Sequence, residues 1–265
     1  MSRHGLFGPG SLSWRIDREV VVLGGGSCAL LMQIAHPAVA AAVAQHSTFR
    51  EDPFGRLRRT LSSSFDVIFG TAGQAQRSID RVNAIHRSVH GTIPETGEAY
   101  SALEPRALLW VHATLVDTAL RVYDRFVSPL SAADAEAYYR ECRPVARAFG
   151  VPEEAIPASL SAIRGWMRDV IASGEVRVTP TARDLAPSIL YPSRVPPRFV
   201  WDVAHLVSVS TLPAELRRQF GLPWSAGRER GVDRAAAASR RLLPLLPRPL
   251  RYVPQARRAD RRVAV

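Results

Sequence analysis

The chain has 265 residues, and its 46% hydrophobic content allows a sizeable core and argues against a wholly disordered protein. Its 35 basic residues are all arginines and stand against 24 acidic residues, which gives a formal net charge of +11. The arginines are spread along the chain without a zinc finger, an aromatic RNA-binding motif or a clean helix-turn-helix, so nucleic acid is not expected as a partner.

Cysteine usage and the N-terminus predict a reducing, cytoplasmic location. Cys28 and Cys142 lie far apart in apolar, helix-like segments and form neither a disulfide framework nor a zinc motif. The N-terminal basic residues are not followed directly by the apolar segment of a secretory signal. Residues 20–44 have the length of a membrane span, but their three glycines and the His36–Pro37 pair favour a buried, broken helix pair.

The glycines near the N-terminus allow two interpretations. Gly24, Gly26 and Ala29 match the G-x-G-x-x-A spacing of a dinucleotide-binding turn, which would make the protein a nicotinamide-dependent oxidoreductase. No second strand ending in an acidic residue follows about twenty positions later, and no alternation of strands and helices follows either. In the helical interpretation, the glycines let a flat ligand or another helix approach the backbone closely.

The next predicted helices carry the first candidate site residues. Pro37 begins an alanine-rich helix that ends near Gln45, and Pro53 begins a helix that Gly70 ends. The second of these helices has an apolar stripe and, beside it, a polar stripe formed by Arg56, Arg59, Thr60 and Ser63. The polar stripe is either a solvated basic face or the anion-binding wall of a pocket.

The most informative segment is the helix predicted between Thr71 and Gly91. Thr71 and Gln74 have the spacing of a capping box, and Gly91 is a natural stop. His86 falls within the apolar stripe formed by Ala75, Ile79, Val82, His86 and Val89. Its imidazole is therefore expected to point inward, either as a core residue bonded to a carbonyl or as a ligand of a metal or haem iron.

A long helix follows from Pro105 to about Phe126, and it places His112 in the stripe Leu108, His112, Leu115, Ala119 and Val122. Further helices are predicted to the end of residue 246, without convincing strand patterns. The expectation is one all-α globular domain over residues 1–246. Residues 247–265 are expected to form a flexible arginine-rich tail outside it, able to contact an anionic membrane peripherally.

Three segments in this order resemble the MpaB and rubber-oxygenase family of haem-dependent oxygenases: residues 36–60, the His86 helix, and residues 100–127 with the sequence WVHATLVD. The resemblance covers roughly residues 20–151. It implies a helical domain around an apolar haem pocket, with His86 as the proximal ligand of haem b and with Arg56, Arg59 and Thr60 close to the haem. It also implies that the protein uses dioxygen to oxidise an apolar, isoprenoid or unsaturated lipid-like substrate.

Other residues receive roles within this resemblance. His36 is the candidate distal base, and His90 and His112 are candidate haem contacts. Arg59 stands where the rubber oxygenase has a lysine, and because arginine stays protonated, a resting state with that side chain on the iron is not expected. The acidic base of the family is not evident at a matching position. A helical protein that binds haem or lipid without turnover is the alternative.

Overall fold

A computed structural model describes residues 4–47, 53–191 and 198–264 of the chain. Helices dominate these ranges, which confirms the all-α prediction. The first seven helices are α1 (Leu12–Asp17), α2 (Val20–Leu23), α3 (Gly26–Ile34), α4 (Pro37–His46), α5 (Pro53–Phe69), α6 (Ala72–Ser88) and α7 (Pro105–Phe126). They are followed by α8 (Ala132–Ala148), α9 (Leu160–Ala172), α10 (Pro180–Leu190), α11 (Arg198–Thr211), α12 (Ala214–Gln219), α13 (Ala226–Leu242), α14 (Arg248–Arg251) and α15 (Pro254–Ala264).

A short hairpin interrupts the helices where the sequence predicts a loop. Strand β1 (His90–Thr92) pairs antiparallel with β2 (Ala99–Ser101), and Gly91 lies opposite Tyr100. A Cβ atom at Gly91 would lie 2.5 Å from Gln45 Oε1, so a larger residue there would displace the Gln45 side chain from the hairpin. The hairpin therefore ties the end of α6 to the end of α4.

Helix α7 is the centre of the main core. Most of its side chains are buried, including Trp110, whose Nε1 donates a 2.8 Å hydrogen bond to the Met32 carbonyl of α3. The predicted stripe is correct for His112 and its apolar neighbours except Leu115, which is 47% exposed.

The glycines of residues 24–26 serve helix packing, which corrects the interpretation as a dinucleotide-binding turn. The preceding valines form helix α2 and not a strand, and the described residues contain no parallel sheet. A Cβ atom at Gly25 would lie 2.7 Å from Val122 Cγ2 and 2.8 Å from Thr118 Cγ2 of α7. The missing side chain therefore allows close contact between α7 and the α2–α3 junction.

Helices α5 and α6 form an antiparallel hairpin joined by Gly70 and Thr71. The predicted capping box is present, because Thr71 Oγ1 accepts from the Gln74 backbone and the Gln74 side chain accepts from the Thr71 backbone. Ser78 Oγ of α6 donates to the Ser63 carbonyl of α5 over 3.3 Å, which sets the register of the two helices.

The C-terminal segment, residues 243–264, is folded against the domain, which corrects the expectation of a flexible tail outside it. Val253, Ala256 and Ala259 are buried in a second apolar cluster formed with α1 and α5. Arg251 Nη2 lies 2.7 Å from Oε1 of Glu19, a carboxylate that is 1% exposed. Composition alone did not predict this, because the apolar stripe of α15 consists mostly of alanines.

No single helix among the described residues is long and apolar enough to cross a bilayer. Taken together, residues 20–34 and Pro37–His46 are long and apolar enough for a membrane span, but the two segments meet at a bend of 105°. This agrees with the predicted break at Pro37.

Candidate functional site

Three histidines each bury a ring nitrogen that has no hydrogen-bond partner within the described residues: His36 Nδ1, His86 Nδ1 and His112 Nε2. They lie on different elements, at the start of α4, near the end of α6 and within the first half of α7. Buried polar atoms in folded proteins are nearly always paired, so three such nitrogens on histidines mark these positions as candidates for ligand contact.

Burial also sets the protonation state of these rings. It lowers the pKa of His86 and His36, and it lowers the pKa of His112 to about 4. Each imidazole is therefore neutral at pH 7 and keeps a lone pair that can bind a metal or accept a proton.

The register of the α5–α6 hairpin places the predicted polar stripe relative to His86. His86 lies eight residues, or about 12 Å, beyond Ser78 along α6. Because α5 runs in the opposite direction, the backbone at Gly55 is level with His86, and that of Arg59 lies about one turn away. Gly55 is buried, whereas Arg59 and Thr60 are exposed, and the side chain of Arg56 lies outside the described residues.

Helices α6 and α7 each contact the end of α8. Asn83 of α6 donates a 2.9 Å hydrogen bond from Nδ2 to the Ala148 carbonyl. A Cβ atom at Gly150 would lie 3.5 Å from Leu108 Cδ1 of α7. Along their own helices, His86 and His112 each lie about one turn from these contacts.

His36 occupies the N-cap of α4 without a capping hydrogen bond from its side chain. The charges of Glu175 and Arg106 act on its ring, and these two residues form an ion pair of 2.6 Å at the start of α7. His36 is therefore near the beginning of α7, whereas His112 lies almost two turns along it.

His90 differs from the three buried histidines. Its side chain is exposed on β1, and its carbonyl lies 2.9 Å from Nε2 of His46, a residue that the sequence did not single out as a site residue. The role of His90 as a haem contact stays a prediction.

The donor set fits a metal held by one protein side chain. No three histidine, cysteine or acidic residues come together as a metal site within the described parts of the chain. Haem iron needs only one or two axial side chains, because the porphyrin supplies the other ligands. A neutral His86 on the inward face of α6 meets that requirement, and His112 does so as well.

Sequence reasoning missed residues that position the site. Asn83 anchors α6 on α8, and the only signal for it is a polar residue beside the apolar stripe. Asp117 of α7 is 4% exposed and lies between Arg121 Nε at 2.5 Å and Arg164 Nε at 2.7 Å. The spacing of Asp117 and Arg121 is that of an i,i+4 pair on one helix, whereas the pair with Arg164, which joins α7 to α9, has no signal in the sequence.

A polar cleft of about 350 Å³ lies at the other half of α7. Its lining includes Arg121, Arg125 and Arg240. Since Arg121 is nine residues beyond His112, the cleft begins about 14 Å along the helix from that histidine. It is therefore separate from the buried histidines.

Comparison with known proteins identifies one family and two relatives. The sequence model of a family described as the catalytic domain of the ER-bound oxygenase mpaB/B' and rubber oxygenase matches residues 14–241. An uncharacterized protein of Mycobacterium bovis (Mb2261) and one of Mycobacterium tuberculosis (Rv2237) are each 27% identical over 128 residues. Each match covers 47% of this chain and 50% of the relative, so the chain spans about half the length of these relatives. No solved structure matches significantly.

Proposed function

Because the chain belongs to the mpaB and rubber oxygenase catalytic-domain family, we propose that it is a haem b-dependent oxygenase in which His86 binds the iron. Membership of the family supports oxygenase chemistry in general. The observation that carries the haem assignment is the inward His86 ring, which is neutral and makes no hydrogen bond within the described residues. The substrate in this proposal is apolar, of the isoprenoid or unsaturated lipid class.

In this proposal, the bound haem supplies the activation of dioxygen, and the protein supplies binding, orientation and exclusion of water. His86 binds iron as a neutral imidazole, and burial on the inward face of α6 keeps it in that state. Arg56, His90 and His112 contact the haem.

Arg59, Thr60 and His36 act on the substrate side in this proposal. The guanidinium of Arg59 keeps its charge, so it stabilises negative charge that develops near it, and the Thr60 hydroxyl donates a hydrogen bond. Because the pKa of His36 is lowered, its imidazole is unprotonated at pH 7 and can accept a proton from the substrate.

The experiment is to purify the protein with haem supplied and to record its absorbance spectrum. We expect a Soret band in the wild type. The His86→Ala variant should lose most of its bound haem, and with it most of the band, because it lacks the iron ligand. His112→Ala is the comparison variant: it also removes an inward histidine with an unpartnered nitrogen, but it loses a haem contact and not the iron ligand, so it should keep most of the band. Far-ultraviolet circular dichroism must stay helical in both variants.

Each outcome of this experiment has a defined meaning. If His86→Ala keeps its full haem content and His112→Ala loses its haem, the iron ligand is His112 of α7 and not His86. A wild type that binds no haem would end the haem assignment. A wild type that binds haem but consumes no oxygen with unsaturated isoprenoid or lipid substrates would favour the alternative of a binding protein without turnover.

A further inference from the structure

The segment after α13 exposes an unusual group of leucines, which we call the leucine ridge: Leu242, Leu245, Leu246 and Leu250. Their exposed fractions are 58%, 78%, 39% and 65%. A single exposed leucine is normal on a protein surface, but four within nine residues concentrate exposed apolar side chains in one segment, and concentrations of this kind mark interaction sites.

The ridge is held by buried residues on both sides. Leu243 is buried in the main core, and Val253 is buried in the second apolar cluster. Three prolines, Pro244, Pro247 and Pro249, restrict the backbone between these anchors. The leucines therefore project from a restrained backbone, so docking them on a partner does not require a folding step.

Basic residues flank and interrupt the ridge in the sequence. No acidic residue occurs between Arg240 and Arg251 in the sequence. Arg241 is exposed next to Leu242 and has no acidic partner within the described residues. Arg248 lies between the last two leucines, and its guanidinium pairs with Asp260 at the surface. Any partner of the ridge must therefore accept leucine side chains and tolerate a positive charge beside them.

These charges decide between the partners that an apolar face can have. A second copy of the chain, docked by two-fold symmetry, would bring equivalent arginines of the same sign toward each other. An anionic lipid surface accommodates both the leucines and the arginines. The leucines enter the boundary of the acyl chains, and the arginines contact phosphate and carboxylate groups of the lipids. We propose that the leucine ridge docks the protein on an anionic membrane surface.

The proposal is independent of the haem assignment, and its test uses the full chain. Sedimentation with vesicles compares pure phosphatidylcholine with phosphatidylcholine containing about one quarter phosphatidylserine, a strongly anionic composition. We expect binding to the anionic vesicles only. Raising sodium chloride from about 0.1 M to about 0.5 M should weaken this binding, because salt screens the attraction of the arginines for the lipids.

The leucine contribution is tested by the double variant Leu245→Gln and Leu250→Gln, which leaves the charge unchanged. We expect its affinity for anionic vesicles to fall at least about tenfold, because two apolar side chains no longer enter the lipid. The matched control is Leu6→Gln with Leu103→Gln, which replaces two leucines that are each 47% exposed elsewhere, and it should bind as the wild type does. Arg241→Gln should weaken binding, whereas Arg168→Gln, an exposed arginine on α9, should not.

Three results would overturn the proposal. The first is the absence of wild-type binding to anionic vesicles, and the second is full retention of binding in the ridge double variant. The third is a concentration-dependent dimer, seen by analytical ultracentrifugation without lipid, that the ridge double variant abolishes. This third result would assign the ridge to another copy of the chain.

Discussion

On α6 and in the first half of α7, polar ring nitrogens lie buried, whereas in the C-terminal segment apolar side chains lie exposed. His86 and His112 each bury a nitrogen with no partner in the described structure. Leu245 and Leu250 project into solvent from a backbone whose neighbours are buried. The two regions therefore depart from the usual distribution of polar and apolar groups in opposite directions.

The buried pair Glu19–Arg251 shows what this contrast means. Where a polar group is buried for structure alone, the fold gives it a partner, and here Arg251 donates from both Nε and Nη2 to Glu19. An unpaired buried polar atom costs about 1–3 kcal/mol of stability. The histidine nitrogens carry that cost in the described structure, and the leucine ridge leaves apolar area in water. The haem proposal and the membrane proposal each supply a ligand for one of these two regions.

The largest loss of stability should come from breaking the buried ion pair between Glu19 and Arg251. Arg251→Met leaves the Glu19 carboxylate, 1% exposed, without its cation. We expect the free energy of unfolding to fall by about 3–5 kcal/mol, the usual consequence of an uncompensated buried charge. Urea denaturation of the haem-free protein at pH 7 measures it.

Arg248→Met is the control for that variant. Its pair with Asp260 lies at the surface, where the arginine side chain is 67% exposed, so its loss should change the free energy of unfolding by less than about 1 kcal/mol. Similar small losses in both variants would mean that the C-terminal segment contributes little to the fold, as the sequence alone suggested.

The next largest effect concerns His112, whose ring nitrogen has no partner in the described structure, and it depends on pH. The pKa of His112 is lowered to about 4 in the folded protein, against about 6.5 in an unfolded chain. As pH falls below about 6.5, the unfolded state takes up a proton that the folded state does not bind until about pH 4. The stability due to the neutral ring is therefore complete above pH 6.5 and is lost, by about 3 kcal/mol, as pH falls to about 4.

His112→Leu should reduce this pH dependence and should stabilise the haem-free protein by about 1 kcal/mol at pH 7, since a leucine leaves no unpaired nitrogen. Urea denaturation at pH 7, 5.5 and 4 compares the variant with His90→Leu, whose parent side chain is exposed and whose slope should match the wild type. His36 and His86 act in the same direction, so part of the slope remains. Destabilisation by His112→Leu at pH 7 would show that the ring has a structural partner.

The smallest effect tests how the second half of α7 is packed against the α2–α3 junction. Gly25→Ala places a Cβ atom 2.7 Å from Val122 Cγ2, so we expect a loss of about 1–3 kcal/mol from overpacking. Gly26→Ala meets nothing within 4 Å and should be neutral or stabilise the helix by up to about 0.5 kcal/mol. Thermal unfolding of both variants measures the difference, and equal stabilities would mean that α7 and the α2–α3 junction can separate without penalty.

The sequence by itself determined the parts of the fold that depend on neighbouring residues. Pro53, Gly70, Thr71 and Pro105 mark helix ends through their own backbone chemistry, and the structure has α5, α6 and α7 at those ends. Helical periodicity likewise predicted that His86 and His112 face inward. The all-α class followed from the same local signals.

Only the tertiary structure decided which distant residues meet. Glu19 and Arg251 are 232 residues apart, and Gly25 adjoins Val122 because two helices cross there. The β1–β2 hairpin and the buried stripe of α15 were missed for a related reason, since strands of three residues and stripes of alanine carry little periodic signal. Partners of this kind are selected by burial and pairing energies between segments, which leave no pattern within either segment alone.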